Sequence, residues 1–178
     1  MREIQTERLR LRPVGREDIK RIFTCWASDP KVTKYLTWNP HHTLHDTETV
    51  MDIWLEEYKK PDCYRYGIER RITGDLIGMI DVVGFHHGAP VIGYCSGRAY
   101  WGRGYMTEAL KAVTARLFED GYDTIVIEAV EQNIGSNRVI EKAGFEKVAD
   151  RVAPLSENKK DMLVKINSYR LHKPKSDT

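Results

Sequence analysis

Thirteen residues, Ser96-Gly97-Arg98-Ala99-Tyr100-Trp101-Gly102-Arg103-Gly104-Tyr105-Met106-Thr107-Glu108, lead from a β-type run straight into an amphipathic helical stretch. A strand-to-helix junction is an anion site. The first helical N–H groups have no partners and point outward with the positive end of the dipole, and glycines let a phosphate reach the backbone without meeting a Cβ. Two familiar phosphate loops fail on these letters. Gly97 and Gly102 begin a G-x-x-x-x-G, but Arg103 and Gly104 follow where a Walker loop needs Lys and a hydroxyl. Gly102 and Gly104 begin a G-x-G-x-x-G, but Thr107 takes the third glycine's place and no strand-helix-strand unit opens the chain. By itself Gly-x-Gly is equally a tight turn.

A second polar segment follows about 30 residues later: Glu131-Gln132-Asn133-Ile134-Gly135-Ser136-Asn137-Arg138, leading to Lys142-Ala143-Gly144-Phe145. With these two segments the chain resembles the GNAT superfamily of acyl-CoA N-acetyltransferases, and within it the RimJ/RimL-like branch that acetylates protein N-termini. The resemblance covers roughly Glu7 to Ile166. Its marks are Thr6-Glu7-Arg8-Leu9-Arg10-Leu11-Arg12, Ile92-Gly93-Tyr94, Trp101 to Leu110, and Asn133-x-x-Ser136-Asn137 with Lys142 to Phe145. Ala99 departs from it, standing where the superfamily signature has Gln or Arg.

The resemblance implies an α/β (α+β) GNAT fold: a mixed, mostly antiparallel sheet of about six to seven strands, flanked by about four helices, whose strands 4 and 5 splay to hold CoA. Acetyl-CoA is then the co-substrate. Its pantetheine arm is expected along Cys95 and Ser96, and its pyrophosphate on the backbone N–H groups of Gly102, Arg103, Gly104, Tyr105, Met106 and Thr107, in a cofactor-binding loop that Trp101 opens. Asn133 is expected to bond the pantetheine amide, since a carboxamide both donates and accepts; Asn137 is expected to add a contact. The acceptor is a primary amine, expected to be a protein or peptide N-terminal α-amine. A small-molecule amine such as a polyamine, amino sugar or antibiotic, or a CoA-binding regulatory module without turnover, are the alternatives.

Direct transfer needs a neutral amine, a donor to the developing oxyanion and stabilisation of the departing thiolate. The resemblance places Ser136 near the sulfur, where its hydroxyl can donate a hydrogen bond; serine also suits a helix N-cap. Glu128 is the one carboxylate in the run Ile125 to Val130, and burial would suit it as a base; a solvated sheet face or an ion pair is the other reading. Asp81 is a weaker candidate base. Tyr35, Trp38 and His42 lie where related enzymes carry the mobile segment over the acceptor site, so they are expected to line the substrate pocket or to pack in the core. His41, His42 and His45 have no acidic or cysteine partner at metal-binding spacing, so no metal is expected. Cys95 has no base or triad partner to make it a nucleophile.

The elements that must position these residues are legible as periodicities. Leu9 and Leu11 alternate with arginines as a first strand ending at Pro13. Ile19, Ile22, Phe23 and Trp26 fall at i, i+3, i+4 and i+7, predicting a helix opened by Glu17 and Asp18. A second helix is expected from Asp46 to Tyr58, then strands at Tyr64 to Ile72, Leu76 to Val83 and Val91 to Ser96. Thr107 to Phe118 is expected as a helix closed by Gly121, Thr124 to Val130 as an apolar strand, and Asn137 to Ala143 as a short helix. Phe145 to Ala149 and Met162 to Ile166 complete the list.

Of the 178 residues, 1–170 are expected to form a single domain and 171–178 a disordered tail. Hydrophobic residues at 41% and charged residues at 30% belong to a globular chain. A formal charge of +2 gives no ground for nucleic-acid binding. No run of 18 apolar residues or apolar signal segment argues for a membrane, and Cys25, Cys63 and Cys95, widely spaced, suit a reducing cytoplasm. A monomer and a homodimer are both compatible with the sequence.

Overall fold

The computed structural model describes residues 2–175. A sheet of eight strands forms its centre: β1 (Ile4–Gln5), β2 (Leu9–Arg12), β3 (Arg65–Arg70), β4 (Leu76–His86), β5 (Ala89–Ser96), β6 (Thr124–Val130), β7 (Glu146–Pro154) and β8 (Leu163–His172). Their order across the sheet is β1-β2-β3-β4-β5-β6-β8-β7. Every neighbouring pair is antiparallel except β5 and β6. The helices are α1 (Ile19–Ile22), α2 (Pro30–Thr33), α3 (Leu44–Glu57), α4 (Tyr105–Glu119) and α5 (Ile134–Lys142). The counts among the described residues, eight strands and five helices, exceed the expected six to seven and four. Two-residue β1 and four-residue α2 are too short to leave a periodicity in sequence.

The β5–β6 junction is the feature that positions the site. Only Val91↔Val126 and Ile92↔Ile127 are paired, although β5 continues to Ser96 and β6 to Val130. Beyond Ile92 the strands part, and the sheet carries the expected splay between the family's fourth and fifth strands.

Two cores cover its faces. Leu110, Val113 and Leu117 of α4 and Ile140 of α5 pack with Leu9, Leu11, Ile80, Ile92, Ile125, Ile127 and Tyr169. On the other side Ile19, Ile22, Trp26 and Met51 pack with Val14, Leu76 and Met79. Trp26 is thus core, and Trp54 packs at the margin of the same cluster. A third cluster joins Val130, Leu155, Val164 and Ile166, with Tyr35 packed against it.

Several boundaries move for local reasons. The first predicted helix is a 3-10 turn (Arg16–Asp18), then α1, then a π-helical stretch (Phe23–Ala27) in which the Ser28 N–H reaches back to the Phe23 carbonyl, 3.1 Å. Thr43 opens α3 two residues before the predicted start, because its hydroxyl accepts from the Asp46 N–H while the Asp46 carboxylate accepts from the Thr43 N–H. The last strand runs to His172, pairing with β6 from Thr124↔His172 to Val130↔Ile166, so Leu171 and His172 belong to the sheet and not to the expected tail. The end of that tail, 176–178, lies outside the described residues. No helix among the described residues is long and apolar enough to cross a membrane.

Candidate functional site

After β5, a 3-10 turn (Arg98–Tyr100) leads into α4. Gly102 and Gly104 take φ of +69° and +77°, and Gly104 is the N-cap of the helix. A side chain at either position would strain the turn. Among the described residues none of the backbone N–H groups from Gly102 to Thr107 donates to a protein acceptor. The helix thus starts at Tyr105, two residues earlier than its apolar stripe indicates, and presents a row of free donors at the mouth of the splay. The Trp101 indole donates to the Ser96 carbonyl, 2.9 Å, and its ring is half exposed.

The N-terminal segment braces this helix end. Glu108 accepts from the Thr6 hydroxyl (2.6 Å), the Arg8 N–H (2.9 Å) and Arg8 Nε (2.6 Å), while Arg8 Nη1 donates to the Arg103 carbonyl (3.0 Å). The Arg8 guanidinium also lies 4.6 Å from the centre of the Tyr105 ring. Burial works against the Glu108 carboxylate, but these hydrogen bonds overcome it and hold its pKa below the ordinary range. Beside them lies an open groove of about 380 Å³, bordered by Thr6, Gly104, Thr107, Glu108, Lys111 and Lys142. Lys111 shares a helix face with Thr107, four residues earlier, and that spacing was a readable signal of a cationic flank.

At the other side of the splay, α5 is capped by Asn133, whose side-chain oxygen accepts from the Ser136 N–H, 3.3 Å. Ser136 is therefore not the N-cap. Its hydroxyl faces Tyr94 of β5, with the Tyr94 phenol oxygen 2.9 Å from Ser136 Oγ and 3.2 Å from the Ser136 carbonyl oxygen. Sequence reasoning used Tyr94 only as a mark of resemblance and missed this contact, which joins residues 42 positions apart.

Asn137 does not fit the expected CoA contact. Its Nδ2 donates to the carbonyls of Val130 (2.9 Å) and Asn133 (2.8 Å), and its Oδ1 accepts from Asn167 Nδ2 (3.0 Å) and Tyr169 Oη (2.6 Å). A carboxamide offers two protons and two lone pairs, so nothing is left for a ligand. Asn137 ties α5 to the end of β6 and the middle of β8.

Neither candidate base is free. Glu128 faces out of the core and is bound at both oxygens by Arg151, with Nη2 to Oε2 at 2.9 Å, so the burial that would suit it as a base is absent. Asp81 accepts from Arg65 Nε at 3.0 Å, and the same guanidinium also reaches Glu57. Burial raises the Asp81 pKa and Arg65 opposes it. Burial pushes the Cys95 thiol up to about 12, which keeps it a protonated strand residue and not a nucleophile.

Of the three expected acceptor-site residues, two take the core-packing alternative. Tyr35 packs on the cluster of Val130 and Leu155, Trp38 on the α1–α3 core, and His42 is exposed, its N–H donating to Asp46 at 2.8 Å. The partly buried histidine is His41, with Nδ1 2.7 Å from the Thr47 hydroxyl, and burial lowers its pKa. Lys159 closes the same end, donating from Nζ to the carbonyls of Thr33 and Leu36, each at 2.8 Å. No three His, Cys, Asp or Glu side chains gather as metal ligands among the described residues.

Residues 8–146 match the acetyltransferase (GNAT) domain family. The chain belongs to the GNAT family. It is similar to YoaA of Bacillus subtilis (strain 168), an uncharacterized N-acetyltransferase, with 31% identity over 150 residues that span 81% of this chain and 82% of that one. The fold is shared with RimL, a ribosomal alpha-N-protein acetyltransferase solved with coenzyme A, at a TM-score of 0.82, 17% identity and coverage of 96% and 98% of the two chains. It is shared too with MccE, a microcin self-immunity acetyltransferase solved with acetyl-CoA and AMP, at 0.79, 16% identity and 94% of each chain. This GNAT protein is an acetyl-CoA-dependent N-acetyltransferase.

The chain's own geometry fits that co-substrate. A pantetheine arm carries amides that require backbone partners, and β5 from Gly93 to Ser96, paired with β4 on one side only, has its β6-facing edge to offer. A pyrophosphate requires donors and a close backbone approach, and the glycine turn before α4 has both.

Proposed function

We propose that this GNAT enzyme acetylates the α-amine of a protein or peptide N-terminus. The observation that carries the reading is the commitment of both candidate carboxylates: Asp81 to Arg65 and Glu128 to Arg151. With neither candidate carboxylate left free, the site suits an amine that already loses its proton near neutral pH. The reference pKa of an α-amino group is about 8 and that of lysine about 10.4, so at pH 7 the neutral fraction favours the α-amine by roughly 250-fold. The likeness in fold to RimL supports the same class, whereas the comparable likeness to MccE supports the small-molecule reading.

In this proposal acetyl-CoA supplies an activated carbonyl and a thiolate leaving group. The N–H groups of Gly102 to Thr107 hold the pyrophosphate, with Arg103 and the groove lysines Lys111 and Lys142 adding positive charge. Cys95 and Ser96 offer the edge of β5 to the pantetheine amides, Trp101, Tyr105 and Met106 line its path, and Asn133 turns its free Nδ2 toward it. Ser136 donates to the departing thiolate.

The test is thiol release from acetyl-CoA over a panel of peptides with different first residues, N-terminally blocked lysine peptides, polyamines and aminoglycosides. Free N-termini should turn over fastest, with kcat/KM rising with pH toward about 8. Faster turnover of blocked lysine peptides or of a small-molecule amine refutes the α-amine assignment.

A further inference from the structure

Tyr94 stands on β5 and Ser136 in the first turn of α5, so their contact spans the region where β5 and β6 have ceased to pair. A phenol has one proton to give, and a carbonyl has none. Two arrangements are therefore open with no heavy atom moved, and only the first makes both the 2.9 Å contact to Ser136 Oγ and the 3.2 Å contact to the Ser136 carbonyl hydrogen bonds. In the first, Tyr94 donates to the carbonyl and the Ser136 hydroxyl donates to Tyr94. In the second, Tyr94 donates to Ser136 Oγ, and the serine proton is free to point elsewhere.

We infer that Tyr94 is a positioning residue for acetyl transfer: it parks the Ser136 proton in the first arrangement and donates to Ser136 Oγ in the second, as serine turns its proton toward the departing sulfur. This rests on the reading that Ser136 faces that sulfur. In the reaction the amine lone pair forms the N–C bond, the C–S bond breaks and its electron pair leaves on sulfur. The surplus proton on nitrogen passes to water, and sulfur takes one from water to become the thiol. Tyr94 and Ser136 exchange hydrogen bonds and end unchanged. Tyr94 is suited to this because it is largely enclosed, and burial holds its phenol pKa above the ordinary value, so it stays a donor through neutral and mildly alkaline pH. The backbone carbonyl gives that proton a resting place, so the phenol is never left without an acceptor.

Steady-state kinetics on Tyr94→Phe, Ser136→Ala and the double variant, with the best amine of the panel, decide the matter. A hydrogen bond to a developing charge makes Ser136→Ala about ten- to a hundredfold slower in kcat, and Tyr94→Phe about tenfold slower. The KM for acetyl-CoA should stay within about twofold, and the double variant should be no more than about twofold slower than Ser136→Ala alone. A Ser136→Ala enzyme as fast as the parent overturns the serine reading and this inference together. If Ser136→Ala is slow, the inference alone falls on any of four results: Tyr94→Phe within twofold of the parent, equal tyrosine losses in both backgrounds, a loss confined to KM, or a Tyr94→Phe chain that no longer melts cooperatively.

Discussion

Replacing Asn137 by Ala distinguishes an anchor of the fold from a ligand of CoA. The substitution removes two donated and two accepted hydrogen bonds at a buried position. It leaves the Asn167 amide without its acceptor and the Tyr169 hydroxyl with only a 3.5 Å contact to Glu141 Oε1, and each buried donor so deprived costs roughly 1–3 kcal/mol. The two together give about 4 kcal/mol, a large share of the roughly 5–15 kcal/mol that holds a domain together. Urea unfolding followed by circular dichroism measures this directly, and calorimetric titration of the folded variant with acetyl-CoA measures the other side. We expect the free energy of unfolding to drop by about 4 kcal/mol, and Tyr169→Phe, which spares the Asn167 bond, to cost about 1 kcal/mol. Unfolding free energy within about 1 kcal/mol of the parent, together with a large loss of acetyl-CoA affinity, would refute the anchor and restore the ligand.

Three further outcomes follow from the same geometry. Gly104→Ala forces a Cβ into a left-handed turn, 3.3 Å from Arg8 Nη2, so it should cost about 1–2 kcal/mol in a thermal melt and weaken acetyl-CoA binding several-fold by calorimetry. The Glu108 pKa is depressed in the folded state, so its contribution to stability is complete above the ordinary carboxylate value near 4.5 and is lost as pH falls through the lower folded value; Glu108→Gln should flatten the decline of Tm with acidification in that window. Glu128→Gln should change kcat by less than about twofold, since the exposed pair with Arg151 contributes little; a tenfold loss would return Glu128 to the catalytic machinery.

What was legible in the sequence depended on how local its cause was. The stripe Ala109, Leu110, Val113, Leu117 and the glycine at 121 describe α4 almost completely, because a helix is made of contacts three and four residues apart. The π-helical stretch after Ile22 was hidden, since apolar spacing at i, i+3, i+4 and i+7 does not tell an i−4 bond from an i−5 bond. The last strand was cut short at Ile166 because Asn167, Ser168 and Arg170 break the apolar alternation; β6 holds those residues in register from outside. Asn137 was misread for the same kind of reason. Its partners Asn167 and Tyr169 lie 30 and 32 residues downstream, and only the fold brings them together. Glu128 sits in an apolar run yet points outward, because the strand's alternation turns Ile127 inward and the next side chain away.

The two-pair seam between β5 and β6 has a thermodynamic consequence. The sheet is in effect two plates joined along a short stitch, and lengthening that stitch would close the slot. Backbone groups facing the slot forgo the partners of a strand paired on both sides, so the sheet is loosely joined along this stretch. A co-substrate that fills the slot binds the native chain and not the unfolded one, so stability rises with its concentration, by about 2.7 kcal/mol at a hundred times Kd. Acetyl-CoA bound in the slot is thus expected to raise the melting temperature of this protein as its concentration rises.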